Sequence, residues 1–291
     1  MNQNDKNILE VVQSIRDELA GLYDENELNT FIFLMFEEYA GLVKTDIVLK
    51  AAEYLEDKAM TKIREAVGRL KKHEPIQHIL GSTEFYGVSI KTDPRAMIPR
   101  PETEELVEWI INDNDDVEPS ILDIGTGSGC IALALKSAIA GAKIFAADIS
   151  RPALMLAKEN ALVNKLEVKL LETNILKWRN DEKLLALPNF DIIVSNPPYI
   201  ERRLSHEMKD NVLKYEPAEA LFVDDGESMI FYEAIIDMAI EKLNPAGDLY
   251  LEISEREGRR VVALLEDNGF QEVELRKDLS GKDRMVKSVR C

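Results

Sequence analysis

Asn196-Pro197-Pro198-Tyr199 stands at the end of the apolar run "DIIVS". Such a run reads as a buried strand, and proline, which donates no backbone hydrogen bond, normally ends one. The residue types suit a single task, holding a planar amino group. The Asn196 side-chain oxygen can accept one N–H. The Pro197 carbonyl can accept the other, its direction restricted by the flanking rings. Tyr199 offers an aromatic face for stacking. Two acceptors on one –NH2 would free the nitrogen lone pair from conjugation and aim it at an electrophile. Taken alone, the four residues are equally a proline turn closing a strand, with asparagine as an ordinary turn former.

A second motif supplies the electrophile. Gly125-Thr126-Gly127-Ser128-Gly129 links the strand pattern "ILDI" to the helix pattern "CIALAL". Glycines let the backbone turn tightly and approach a ligand, and the helix start offers free N–H groups. The next strand ends in Asp148, about 20 residues on, where a carboxylate can accept from both ribose hydroxyls. The loop lacks the Gly-x-x-Gly spacing that seats a pyrophosphate, and Asp123 just upstream would repel one. A ribose and adenine with a zwitterionic tail fit better, which points to S-adenosylmethionine and its sulfonium methyl. Cys130 opens the following helix among apolar neighbours and reads as a packing residue.

Alternating elements must hold these motifs together. "SILDIG", "KIFAADIS", "EVKLLETN", "FDIIVSNPPY" and "DLYLEIS" read as strands buried on both faces, with helices over 129–140, 151–163 and 227–243 between them. That alternation predicts a parallel sheet wrapped by helices. "FQEVELRKDL" and "DRMVKSVR" add a terminal hairpin. Upstream, "ILEVVQSIRDELAGL", "ELNTFIFLMFEEYAGL", "TDIVLKAAEYL" and "AMTKIREAVGRLKKH" predict four helices, the third capped by Thr45 or Asp46. "IQHILGSTEFYGVSIKTD" predicts two extended runs broken at Gly81-Ser82-Thr83, a hairpin between two domains. "ERRLSHEMKDNVLKYEP" reads as a mobile polar loop in which His206 is solvated.

Composition narrows the partners. The chain has 291 residues, 36 basic against 54 acidic, and a net charge of −18. A duplex-DNA binder normally carries a basic face, so nucleic acid is a poor partner and a basic or neutral one a better fit. Two cysteines and three histidines argue against disulfides and a structural zinc site, and fit the cytoplasm. No membrane-spanning run is present, and "MNQNDKNILEVVQSIRDEL" has acids and no unbroken apolar core, unlike a secretory leader.

"DIGTGSGCIALAL" with "SNPPYI" resembles the methyltransferases of amino nitrogens in adenine, cytosine and glutamine. "HILGSTEFYG", "IPRPETEELVE" and "YEPAEALFVDDGE" narrow the resemblance to the glutamine-N5 methyltransferases of peptide chain release factors, over essentially the whole chain. The resemblance implies an α/β, Rossmann-like class I fold. Its mostly parallel seven-stranded sheet would end in an antiparallel hairpin, after a small all-helical domain. It implies a helical bundle over 1–75 that contacts the release factor, a hairpin linker over 76–98 and a methyltransferase domain over 99–291. The substrate would be the glutamine of the Gly-Gly-Gln motif of bacterial release factors, and the donor S-adenosylmethionine. Asn196 and Pro197 would bind the reacting amide, with Pro198 and Tyr199 beside it. Gly125, Thr126, Gly127, Ser128, Gly129, Asp148, Asn174, Ile175 and Asn196 would line the cofactor. Arg100, in the proline-rich segment, would wall the same pocket. The chain departs from the family pattern where Asn174 takes an acidic position and Ile175 an aromatic one, leaving adenine aliphatic contact only. Ser254 and Glu257 likewise stand where Gly and Gln are common. The same chemistry on a ribosomal-protein glutamine or on a nucleic-acid exocyclic amine is the competing expectation.

Overall fold

The computed structural model describes residues 6–114 and 118–291; the first five residues of the stretch weighed as a leader lie outside them. The chain divides into two units. One comprises residues up to Gly81 together with Asp210–Tyr215, the other Ser82–Lys209 and Glu216–Cys291. No helix among the described residues is long and apolar enough to cross a membrane.

The first unit is helical. Helix α1 (Ile8–Leu19) starts at a capping box in which Asn7 and Glu10 satisfy each other's backbone N–H. It buries Ile8, Val11, Ile15 and Leu19, the three- and four-residue spacing of one helix face. Asp24 caps α2 (Glu25–Ala40), and Gly41, at φ 64°, ends it. Helices α3 (Lys44–Leu49) and α4 (Asp57–Leu70) complete a core around Phe36, Met35, Ile63 and Leu70.

Three expectations fail in this stretch, each for a tertiary reason. Thr45 and Asp46 lie inside α3; its cap is Val43, with no side-chain bond. The helix stops at Leu49 rather than Leu55, because the Ala51 and Glu53 carbonyls accept from the free N–H groups of Leu9 and Ile8 in the first turn of α1. "IQHIL" is not extended but helical, α5 (Ile76–Leu80). Gly81 at φ 83° terminates it, and the Arg69 guanidinium donates to its His78 and Ile79 carbonyls.

In the second unit, β1 (Ser82–Phe85) and β2 (Val88–Lys91) pair antiparallel about Tyr86-Gly87, not about Gly81-Ser82-Thr83. Both turn residues have positive φ, 45° and 74°, the geometry of a tight hairpin. Then follow α6 (Pro101–Asp113), β3 (Ser120–Ile124), α7 (Cys130–Ala138), β4 (Lys143–Asp148), α8 (Arg151–Asn164) and β5 (Lys169–Glu172). A 3-10 turn (Ile175–Asn180) and α9 (Glu182–Leu185) lead into β6 (Phe190–Ser195). The supposed loop after Tyr199 carries short elements instead: β7 (Ile200–Glu201), a 3-10 turn (Arg202–Glu207), α10 (Asp210–Tyr215), α11 (Ala218–Leu221) and β8 (Phe222–Val223). Of these, α10 groups with the helical unit, where the Tyr215 hydroxyl donates to the Lys72 carbonyl at 3.1 Å. Last come α12 (Ile230–Lys242), β9 (Leu243–Glu252), α13 (Gly258–Asp267), β10 (Gln271–Lys277) and β11 (Asp283–Val289). The sequence reading passed over α13, whose Glu257 cap makes no side-chain bond.

Seven strands form one sheet in the order β10-β11-β9-β6-β3-β4-β5, all running one way except β11, which pairs antiparallel with both β9 and β10. This is the expected Rossmann-like sheet with its terminal hairpin. Alternate residues sort to its two faces. Ile121, Ile144, Ala146, Ile192 and Val194 join one core with α6 and α7, while Leu122, Phe145, Ala147 and Ile193 join the other with α12 and α13. Chain order reverses between β3 and β6, and a ligand crevice is expected at their carboxyl ends.

Gly129 holds α7 close to α8. Its φ is 83°, and an added Cβ would sit 3.1 Å from the Ala157 Cβ. Gly129→Ala is expected to lower stability by about 1–3 kcal/mol. Urea unfolding followed by tryptophan fluorescence reads this unit alone, since Trp109 and Trp178 both lie in it. An unchanged midpoint would contradict the packing.

Candidate active site

Hydrogen bonds knit the carboxyl ends of β3, β4 and β6 together. The Ser195 hydroxyl, fully buried, donates to the Ile124 carbonyl at 2.7 Å, so Asn196 leaves β6 beside Gly125. Gly125 and Thr126 donate backbone N–H to the Ala147 carbonyl at the end of β4. Gly127 N–H donates to Asp148 Oδ2 at 2.8 Å, and Ser150 N–H to Oδ1 at 2.8 Å. The left-handed φ of Gly125, Gly127 and Gly129 (72°, 55° and 83°) is what lets the loop make these turns. A cavity lies over this edge, with Gly125, Gly127, Asp148, Asn174, Asn196 and Pro197 in its wall.

Among the charged residues of that wall, the carboxylates of Asp148 and Glu219 outnumber the guanidinium of Arg95. Burial raises Asp148 against the backbone donors Ser150, Gly127 and Ile149 that favour its charged form, and Glu219, also in the wall, raises it further. Asp123 lies beneath the loop, wholly buried, with Thr126 Oγ1 donating to it at 2.6 Å. Burial outweighs that bond and pushes its carboxyl up to about 7. Among the described residues the guanidinium in the wall is that of Arg95, which is committed to Asp93 and Glu159. The cavity therefore favours a cationic or zwitterionic ligand over a polyphosphate. Asp148 spends only part of its acceptor capacity on backbone, which leaves lone pairs for hydroxyl donors.

At the other end of the cavity, Asn196 Nδ2 donates to Thr103 Oγ1 at 3.3 Å, and Thr103 Oγ1 donates to Glu252 Oε2 at 2.6 Å. Thr103 and Glu252 are buried, at 2% and 3% exposure. A hydroxyl has one proton, and here Glu252 takes its bond, so Thr103 can only accept from the Asn196 amide. With Nδ2 held this way, Oδ1 is the atom left to accept from a ligand. Burial pushes the Glu252 carboxyl up to about 7, although Thr103 and Arg284 favour its charged form.

The cavity brings together Gly125, Thr126, Gly127, Ser128, Asp148, Asn174, Ile175, Asn196, Pro197 and Pro198. Three residues singled out from sequence lie elsewhere. Gly129 packs on Ala157. Arg100 forms an ion pair with the buried Glu216, whose other oxygen accepts from Ile98 N–H. Tyr199 is half-buried against the core, and burial pushes its phenol up to about 12. Asn174 caps the following 3-10 turn through Oδ1, which leaves its Nδ2 for a ligand.

Sequence reasoning missed Thr103, Glu219 and Phe231. Phe231, from α12, puts an aromatic ring into a wall for which only aliphatic contact was expected. Cys130 also lines the cavity, its thiol pushed up to about 12 by burial and so protonated. The "IPRPETE" and "YEPAEAL" segments were visible signals. Their lining residues turn out to be Pro99, Thr103, Pro217, Glu219 and Ala220 rather than Arg100.

Known proteins resemble this chain along most of its length. Residues 103–230 match the methyltransferase small domain, and residues 10–81 match the PrmC N-terminal domain. The chain is 41% identical to the release factor glutamine methyltransferase of Flavobacterium psychrophilum, over 92% of this chain and 94% of that one. It is 38% identical to the protein of the same name from Lactococcus lactis, over 94% and 98%. A methyltransferase structure from Pyrococcus furiosus shares the fold at TM-score 0.53 and 16% identity, covering 79% of this chain and 97% of that one.

Asp123 makes stability depend on pH. Between its ordinary value, about 4, and about 7, the folded state keeps a proton that the unfolded chain has lost. The group therefore withdraws stability as pH rises through that window. From about pH 5 to about pH 8, Asp123→Asn should gain roughly 2–3 kcal/mol relative to the parent chain. Paired urea titrations measure this; a difference that does not change with pH would mean Asp123 is ionised throughout.

Proposed function

Since the chain belongs to the release factor glutamine methyltransferase family, we propose that it transfers a methyl group from S-adenosylmethionine to the side-chain amide nitrogen of the Gly-Gly-Gln glutamine in bacterial peptide chain release factors. One observation carries the reading: the Asn196 amide is held by its nitrogen through Thr103, so that Oδ1 is presented as an acceptor in the wall of an acidic, glycine-floored cavity.

The residues present fit the donor. Gly127 brings backbone close to the ligand space, Asp148 keeps acceptor sites for ribose hydroxyls, and the acidic wall suits a cation. When bound, S-adenosylmethionine supplies an electrophilic methyl group on a sulfonium centre. The protein's part is to prepare the nitrogen. An amide nitrogen is a poor nucleophile because its lone pair is shared with the carbonyl. Asn196 Oδ1 and the Pro197 carbonyl would each accept one N–H of the glutamine –NH2, fixing its plane and orienting its lone pair. Both acceptors also stabilise the positive charge that develops on nitrogen. No strong base is needed before transfer; the proton leaves afterwards to water or to these acceptors.

We assign recognition of the protein substrate outside the active site to the helical unit. A translation factor as substrate places the enzyme in the cytoplasm. The net charge of −18 speaks against a nucleic-acid amine as the alternative acceptor.

Labelled S-adenosylmethionine should mark purified release factor and fail to mark its variant with the Gly-Gly-Gln glutamine replaced. Ribosomal proteins and DNA offered in parallel should stay unlabelled; label in DNA would overturn the assignment. Asn196→Ala should lose about 100-fold or more in turnover while binding cofactor as before, by calorimetry. Wild-type turnover in that variant would remove the two-acceptor clamp.

A further inference from the structure

The hydrogen-bond chain behind Asn196 has a direction, and that direction is set from its far end. We infer that Thr103 and Glu252 are positioning residues: ionised Glu252 binds the Thr103 proton, which obliges Thr103 to accept from Asn196 Nδ2 and turns Asn196 Oδ1 toward the substrate amide. The inference rests on the proposed glutamine reading and adds to it the control of the clamp's polarity.

The geometry leaves little freedom. Thr103 sits in the first turn of α6, fixed by Pro101 at the helix start, and Glu252 is the last residue of β9, paired with Met285 of β11. Their side chains meet at 2.6 Å, and Thr103 meets Asn196 at 3.3 Å. The Asn196 amide itself also favours the charged form of Glu252, as expected if its N–H side faces inward. A protonated Glu252 reverses the chain. Its carboxyl can then donate to Thr103, Thr103 donates onward, and Asn196 must turn its oxygen inward to accept. Its –NH2 then confronts the substrate –NH2, donor against donor, and the clamp fails.

The sign follows from the surroundings. Burial raises Glu252 from its ordinary range to about 7, so the competent, ionised form is present above that value and is lost as pH falls through it. Arg284 on β11 favours ionisation and Glu102 on α6 opposes it. Arg284 is itself paired with Asp278. Tyr199 after β6, Tyr232 on α12 and Cys130 on α7 also face Glu252; burial raises all three, so they stay neutral across the range. Asp123 titrates near the same value under the glycine loop, so its contribution has to be separated.

The test measures turnover at saturating release factor and S-adenosylmethionine from about pH 5.5 to about pH 8.5. Wild-type enzyme should show an acid limb. In Glu252→Gln, which keeps an acceptor for Thr103 but cannot ionise, the limb should disappear; in Asp123→Asn it should remain. Thr103→Val, which keeps the shape and loses the hydroxyl, should reduce kcat about 10- to 100-fold. Its KM for release factor and its calorimetric affinity for the demethylated cofactor should be unchanged, and Thr103→Ser should recover most of the turnover. An acid limb that persists in Glu252→Gln, or a wild-type kcat in Thr103→Val, overturns the inference. Failure of the wild-type enzyme to methylate release factor at all would instead reject the underlying reading of the site.

Discussion

The hydrogen bond from the Ser195 hydroxyl to the Ile124 carbonyl closes the carboxyl edge of the sheet where β3 and β6 part. Beyond it the two chains diverge, one into the glycine loop and the other into Asn196 and the prolines. Because the bond fixes where they diverge, it also fixes the distance between a ligand cradle and an amide clamp. Parallel strands bring the two segments to the same edge; this contact brings them to the same place on it.

The two halves of the site are held by different means. The cradle is mostly main chain: Gly125 and Thr126 reach the Ala147 carbonyl, and Gly127 reaches Asp148. Backbone geometry set by glycine leaves little for side chains to decide. The clamp, by contrast, depends on three side chains drawn from α6, β9 and the end of β6. Two of them are buried polar groups in low dielectric, where a satisfied network is rigid and an unsatisfied one is costly. The reacting end is thus the more exacting half.

Range explains what was legible in the sequence. Gly125 to Gly129, Asp148 and Asn196 all sit at strand ends next to their own signals, so local pattern was enough to find them. The sheet followed from apolar runs, and its hairpin from two strands joined by a short turn. Thr103 and Glu252 are separated from their partners by most of a domain, and neither residue type in its local setting announces a role. Phe231 reached the cavity from a helix whose pattern reads only as core. Arg100 looked like a ligand contact because arginine so often is one; the buried Glu216, far along the chain, claims it. The early end of α3 and the helical turn at Ile76–Leu80 have the same origin, since carbonyls there are engaged by α1 and by Arg69.

One consequence concerns the order of synthesis. Helices α1 to α5 leave the ribosome before β1, yet the unit they form also includes Asp210–Tyr215, with Tyr215 bonded to the Lys72 carbonyl. A unit begun before β1 is therefore completed only after β7 has been made. Between those two moments the nascent chain must produce seven of the eleven strands among the described residues, from β1 to β7. The helical unit waits, one helix short, for a segment encoded inside its neighbour.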